Sequence, residues 1–260
     1  MDATSSKPAA NPPLDMLSIS LLGTPTVNWA GEPVPMLRRQ TRALLYCLSA
    51  DLQPVARTQL CYLFWPDIAD STARRNLTRL IVLLRQSLPQ PSLLVAEEEH
   101  VRLDRQRTWC DTASFAALTT VADLSARRSA LAQAAELWRG PFLDGFFLPD
   151  CPEFEAWMEQ ERRMWERRIC DCFGALIEAH TVVQDYAAAI AVAQHYLQID
   201  PLAEDIHRVD GGAAGERAEW AHAVVAVELH HRFVQPLWFA LVLALDFREL
   251  RLEALHPEAR

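Results

Sequence analysis

The chain has 260 residues, half of them hydrophobic and 23% charged, with a formal net charge of −9. That length allows about two domains, and the composition is that of globular material rather than of a disordered or fibrous chain. The acidic balance argues against coating of nucleic acid by the whole surface, but it is uneven. Residues 1–110 carry 12 basic and 10 acidic side chains; residues 111–260 carry 13 and 24. Such asymmetry implies two regions with different tasks.

Met1 to Pro13 has no apolar signal core, and residues 1–15 read as a disordered leader. Leu17–Leu22 and Thr26–Trp29 read as strands around Gly23-Thr24-Pro25, and Trp29–Val34 as a second turn with a third strand. A helix is expected from about Arg38 to Leu52, with Ala43, Leu44, Cys47 and Leu48 inward and Gln53-Pro54 as its breaker. A second runs from Thr58, its expected cap, to Trp65, where Pro66 stops it.

The third helix, about 71–88, divides into two faces. Ala73, Leu77, Leu80, Ile81, Leu84 and Leu88 recur at helical spacing. Arg74, Arg75, Thr78, Arg79, Arg85 and Gln86 lie opposite, with Asp70 or Ser71 as the expected cap. The bland reading is a solvated surface helix. Against it, no Asp or Glu occurs from Ser71 to Ser92, whereas ordinary surface helices pair Arg with acids at i,i+4. A guanidinium fork suits phosphate and guanine, so this face is a candidate for DNA. Leu93–Val95 and Val101–Leu103 then form a hairpin with Glu97-Glu98-Glu99-His100 at its tip. Three helices, the third cationic, followed by a hairpin make a winged helix-turn-helix whose third helix enters the major groove. Arg102, Arg105 and Arg107 of the wing are candidates for the phosphate backbone or the minor groove, and Arg38, Arg39 and Arg42 for phosphate clamping or for no ligand at all.

After Asp111 the pattern is helical: Thr112–Leu124, Arg127–Trp138, a connector through Gly140-Pro141 to Pro149, a long helix from Pro152 to about His180, then Tyr186–Leu197 and Leu202–Arg208. Alanines at 187, 188, 189, 191 and 193 allow close helix contacts, as in tetratricopeptide (TPR) units. The fold class expected is therefore an α+β N-terminal winged helix-turn-helix followed by an all-α TPR-like domain. The expected domains are 1–15, 16–108, 109–208 and an anomalous 209–260.

Few other chemistries have support. None of the six cysteines forms C-x-x-C, and no Cys/His set has zinc spacing. Cys47 and Cys61 read as core residues, and Trp65, Trp138 and Trp157 as core anchors. Cys170 and Cys172 project too far apart on one helix to share a metal. His230-His231 lacks further ligands at metal spacing, and Glu153 and Glu155 read as solvated helix charges. No nucleophile elbow, zinc-protease motif or G-x-x-x-x-G-K-[ST] loop occurs. The expectation is a non-enzyme without cofactor or metal, and the late apolar run Pro236–Leu245 is too short for a membrane span. A reducing cytoplasm is the expected location.

Several motifs resemble a known family in one continuous order over about 17–208. Leu21-Leu22-Gly23, Thr41-Arg42-Ala43-Leu44-Leu45, Leu63-Phe64-Trp65-Pro66-Asp67, Ala73-Arg74-Arg75-Asn76-Leu77 and Leu84-Arg85 resemble the OmpR/PhoB-like DNA-binding half of bacterial regulators of the SARP type. Asp111-x-x-x-Phe115, Leu137 to Leu143, Phe154-Glu155-x-Trp157, Glu161-Arg162 and Asp200-Pro201-x-x-Glu204 resemble that family's bacterial transcriptional activation domain. The resemblance implies binding to double-stranded promoter DNA, often as two protomers on direct repeats, and recruitment of RNA polymerase. It gives Arg74, Arg75, Thr78, Arg79 and Arg85 the recognition-helix role and Arg102 and Arg105 the wing role.

Two departures stand out. Val82 lies amid the cationic face, against a thymine methyl or simply exposed. After Arg208 the family's pattern stops at Val209-Asp210-Gly211-Gly212-Ala213-Ala214-Gly215-Glu216-Arg217. Codons can be chosen for Asp210–Arg217 that, read one base forward, give Met-Ala-Ala-Leu-Leu-Ala-Ser, so a frameshift over 209–260 is expected; resequencing of the locus decides it. Two rival readings follow: a TPR-like adaptor without DNA binding, and a non-functional truncated product.

Overall fold

The computed structural model describes residues 16–36 and 38–199. It begins with a period-two strand, β1 (Leu17–Ser20), in which Leu17 and Ile19 are fully buried and Ser18 and Ser20 partly exposed. β2 (Thr26–Trp29) returns antiparallel, with Ile19 opposite Val27, and β3 (Glu32–Pro33) follows on its outer side. Pro33 is tolerated there because an edge strand leaves one row of N–H groups unused. The Ala30-Gly31 turn has positive φ at both residues, 52° and 85°, as a two-residue hairpin loop demands.

Helix α1 (Arg39–Ser49) is buried over nearly its whole circumference from Thr41 to Ser49, rather than along the single stripe expected. Tyr46, outside that stripe, meets Phe146 edge-on at 5.1 Å. The helix stops short of Leu52, which takes a left-handed φ of 56°, and Asp51 accepts a hydrogen bond from the Gln53 N–H at 2.9 Å. Then come β4 (Val55–Ala56), α2 (Arg57–Phe64), α3 (Asp70–Ser87), a single 3-10 turn at Pro91–Leu93, β5 (Leu94–Ala96), β6 (His100–Leu103) and β7 (Thr108–Cys110). The caps differ from expectation: Ala56 and Ala69 precede α2 and α3, and no side chain closes either end. At α2 the Arg57 N–H instead donates to the Glu99 carbonyl at 2.9 Å, so the hairpin supplies the acceptor that Thr58 was expected to provide.

Two sheets result. One has the order β3-β2-β1-β7, with β7 parallel to β1; the other is β4-β6-β5. The sequence reading had no β7. Thr108–Cys110 is too short to show alternation, and its partner lies some ninety positions earlier.

The helical part opens with α4 (Asp111–Thr119) and α5 (Leu124–Leu137). The helix expected over 112–124 ends at Thr119. The Thr119 and Thr120 hydroxyls donate back to the carbonyls of Phe115, Ala116 and Ala117, competing for the last turn. α6 (Pro152–Val182) and α7 (Tyr186–Ile199) follow. Packing parts the chain between Ile169 and Cys170, inside α6; the sequence boundary at 108/109 falls within the first unit. In the second unit, Ile177 packs with Ala189 and Ala193, and Phe173 stacks on Tyr196 at 6.2 Å. Alanine on α7 lets the two helices approach closely. The readings of 1–15, Asp200–Arg208, His230-His231 and 209–260 lie outside the described residues.

Within the first unit the two halves of the sequence interlock. The Asp111 carboxylate, 1% exposed, accepts from the Leu21 N–H at 2.8 and 2.9 Å, the Leu22 N–H at 3.0 Å, the Thr112 N–H at 2.9 Å and Arg139 Nη2 at 2.9 Å. Burial pushes this carboxyl up, while the Leu22 and Leu21 N–H groups, then Arg139, pull it down. Residues 139–144 run beside 21–23: Arg139 N–H donates to Leu22 O, Gly23 N–H to Pro141 O, and Leu143 N–H to Leu21 O. Gly23 is needed there, since a Cβ would stand 3.0 Å from Arg139 Cβ and φ is +118°. Arg162 of α6 closes the joint, donating to Phe142 O at 3.0 Å and Leu143 O at 3.1 Å. Glu155 is not merely solvated, because it accepts the Leu148 N–H at 2.6 Å ahead of α6.

Candidate nucleic-acid interface

α3 divides as its sequence predicts. Ala73, Leu77, Leu80, Ile81 and Leu84 are buried, and α1 and α2 both pack on the helix. Burial of each Leu or Ile is worth about 1.5–3 kcal/mol, enough to hold the helix in one rotational setting. That setting leaves Ser71, Arg74, Arg75, Thr78, Arg79, Val82 and Gln86 exposed. Val82 is 45% exposed within this face.

The cations are not equivalent. Arg79 is exposed and has no hydrogen bond or ion pair among the described residues. Arg75 Nη2 donates to Thr72 Oγ1 at 3.1 Å, and the Thr78 hydroxyl donates to Arg74 O at 2.9 Å, which leaves the hydroxyl oxygen able to accept. Arg74 pairs at i,i+4 with Asp70 at 2.9 Å. The acid-free stretch thus has an acid at its border, one position outside the window read from sequence. Asp70, and more weakly Glu99, raise the Arg74 guanidinium above its usual range.

Arg85 is half-buried, and its Nη2 donates to the Leu94 carbonyl at 3.2 Å, tying the end of α3 to β5. β5 and β6 pair with Leu94 opposite Leu103 and Val95 opposite Arg102, and the Glu97 N–H donates to His100 O around a two-residue tip. Arg102 Nε lies 3.4 Å from Glu97 Oε1, and Arg57 Nε donates to Glu97 O at 3.0 Å. The tip is therefore held to the start of α2. Arg105, on the turn between β6 and β7, is exposed. Arg107 turns inward to Gln90 and Ser92.

Arg39 and Arg42, candidates for phosphate clamping, have another use. Arg39 Cζ stands 4.2 Å from the Phe147 ring centroid and Arg42 Cζ 5.7 Å from that of Phe146. Such cation–π contacts are worth about 0.5–2 kcal/mol each. Arg38 is exposed. The candidates thus fall into an outward group (Arg74, Arg75, Thr78, Arg79, Arg102, Arg105) and an inward group (Arg85, Arg107). Arg57 was missed; the only sequence hint is its place directly after β4, which pairs with the hairpin.

All six cysteines are free thiols, and Cys47 and Cys61 are buried as expected. Among the described residues no three His, Cys, Asp or Glu side chains gather as metal ligands, and no helix is long and apolar enough to cross a membrane. Trp138 is buried, whereas Trp65 and Trp157 are only partly so.

Comparison with known proteins bears on the second half first. Residues 99–214 match the model of the bacterial transcriptional activator domain. Curated proteins gave no match. Among solved structures the chain is similar to Mycobacterium tuberculosis EmbR in complex with a low-affinity phosphopeptide, at 21% identity and a TM-score of 0.47, over 85% of this chain and 66% of that one. So distant a likeness carries no functional argument. Behind the winged helix-turn-helix, residues 99–214 therefore match the bacterial transcriptional activator domain.

Proposed function

We propose that this protein is a sequence-specific DNA-binding regulator of transcription, acting as an activator in the cytoplasm. α3 enters the major groove of promoter DNA and the β5–β6 hairpin and the turn after it lie along the phosphate backbone. The observation that carries this reading is the exposed row Arg75, Thr78 and Arg79 on a helix fixed from behind by Leu77, Leu80 and Leu84, with Arg79 making no hydrogen bond or ion pair among the described residues. Arg74, Arg102 and Arg105 extend the positive surface. Arg85 serves by holding hairpin and helix in register rather than by touching DNA. The activator domain supplies protein contacts, RNA polymerase among them, and two copies on a direct repeat would double the phosphate contacts.

The test is a gel shift of the full chain on DNA from its own upstream region across a salt series. The full chain is needed because Asp111 and residues 139–144 complete the first unit. Affinity is expected to fall steeply with salt, log K dropping by about 0.9 per phosphate contact for each tenfold rise. Arg75→Glu is expected to abolish binding at moderate salt, and Arg79→Ala to weaken it with a slope lower by about one contact. A chain that binds no DNA at low salt, or Arg75→Glu binding as wild type, refutes the proposal. Asp70 and Glu99 beside Arg74 favour the rival adaptor reading to that extent; a defined protein complex without DNA affinity would establish it.

A further inference from the structure

Glu161 has no part in the interface above, yet it occupies an unusual setting. Trp157, Glu161 and Trp165 follow one another at intervals of four on α6, which places them on one helix face. That face lines a cavity of about 260 Å³ opposite Asp51 and Leu63, with Arg168 on its lining. The volume equals roughly nine water molecules' share of liquid, room for a small organic molecule.

We propose that this cavity is a binding site for a small hydroxylated organic cation, an amino alcohol or its quaternary ammonium form. Its charge would face Glu161, its methyl or methylene groups the two indoles, and its hydroxyl the indole N–H of Trp165.

Three observations carry this. First, the charged side chains lining the cavity are Asp51, Glu161 and Arg168, two carboxylates against one cation, so a cationic guest balances the site. Arg168 is itself exposed, with Cζ 4.8 Å from the Trp165 ring centroid. Second, Trp165 is only 2% exposed, and among the described residues its Nε1 finds no partner of normal geometry, Glu161 offering it only a poorly aligned contact. A buried donor so weakly paired is uncommon, and a hydroxyl oxygen in the cavity would complete its bonding. Third, burial raises the Glu161 carboxyl, with Asp51 adding to the rise, although the nearby Trp165 and Trp157 indoles and Arg168 oppose it. A bound cation would relieve this cost.

The experiment is calorimetric titration of the full chain with two probes, choline and its uncharged isostere 3,3-dimethyl-1-butanol. Both carry the hydroxyl; only choline carries the charge. Choline is expected to bind at millimolar concentration or below, at least about tenfold more tightly than the alcohol, a difference of about 1.4 kcal/mol. Glu161→Gln, which keeps shape and removes charge, is expected to weaken choline about tenfold while leaving the alcohol unchanged. Asp51→Asn, which keeps an acceptor for the Gln53 N–H, is expected to weaken choline less. No heat with choline at millimolar concentration, equal affinity for both probes, or Glu161→Gln binding choline as wild type would each overturn the proposal. The circular dichroism and urea midpoint of each variant separate lost binding from lost fold.

Discussion

Replacing Asp111 by alanine tests how the winged helix and the activator domain are joined. The carboxylate is the acceptor for the buried N–H groups of Leu21 and Leu22, where β1 has ended and no strand offers a carbonyl. Alanine strands both donors. A buried polar group left without its partner costs about 1–3 kcal/mol, so the two together cost about 2–6 kcal/mol. The Arg139 pair adds little, because the Arg139 side chain is 44% exposed and regains water when its partner goes. The Thr112 N–H lies in the first turn of α4 and is the easiest donor to re-solvate. Asp111→Ala is therefore expected to lose about 3–5 kcal/mol, and Arg139→Ala no more than about 1. Urea unfolding followed by tryptophan fluorescence, at matched denaturant slope, measures both. Equal losses for the two variants would show that the ion pair rather than the stranded backbone dominates; a loss under about 1 kcal/mol for Asp111→Ala would show that water reaches the site. Either result refutes the argument.

Four further outcomes are expected. Glu161→Gln should raise the urea midpoint at neutral pH: burial holds the folded carboxyl above its unfolded value, so the folded state binds the proton more tightly and loses stability as pH rises through the glutamate range. The gain should shrink as pH falls toward about 4, and a gain independent of pH would contradict it. Arg79→Ala should leave stability within about 0.5 kcal/mol while weakening DNA binding, because the side chain is exposed and makes no hydrogen bond or ion pair among the described residues. Arg85→Ala should cost about 1 kcal/mol of stability through the lost Leu94 bond and leave the salt slope of DNA binding unchanged. Joint Glu98→Gln and Glu99→Gln should tighten DNA binding in gel shifts at low salt, the hairpin tip being exposed and Glu99 close enough to act on Arg74.

The elements legible in the sequence were those whose information is local. α3 declares its two faces through the spacing of Leu77, Leu80 and Leu84. The β5–β6 hairpin shows through its polar tip, and the order of three helices and a hairpin fixes the winged helix. What escaped was information held at long range. β7 is three residues whose partner is β1, and Asp111 reads as an ordinary first-turn acid until Leu21 and Leu22 lie beside it. Arg85 and Arg107 look like Arg79 in a helical or strand pattern, and only the carbonyl of Leu94 and the side chains of Gln90 and Ser92 turn them inward. Asp70 was legible as well, standing one position before the acid-free run. The face of α6 was legible too. Two tryptophans four residues either side of a glutamate is a pattern visible without coordinates, although each tryptophan alone suggests a core.

The joint around Asp111 also bears on the proposed activation of transcription. The backbone of 139–144 is hydrogen-bonded to 21–23, Gly23 leaves no space between them, and Arg162 fixes the connector to α6. Phe142 meets Trp157 edge-on, and Phe154 of α6 lies 5.7 Å from Phe64 of α2. Aromatic pairs of this kind contribute about 0.5–1.5 kcal/mol each beyond their burial. A flexible tether would leave a bound partner protein free to sample many orientations over the promoter. Packing of this density instead ties the first helices of the activator domain to the same body that holds α3. A partner seated on α4 or α5 would then face DNA in one orientation set by α3, and weakening the joint should lower activation even where DNA affinity is kept. A milder variant, Arg162→Ala, removes two bonds to the connector and leaves the α3 surface intact, so it separates the two effects. Reporter transcription should fall while the gel shift does not, and a parallel fall in both would mean that the joint serves stability alone.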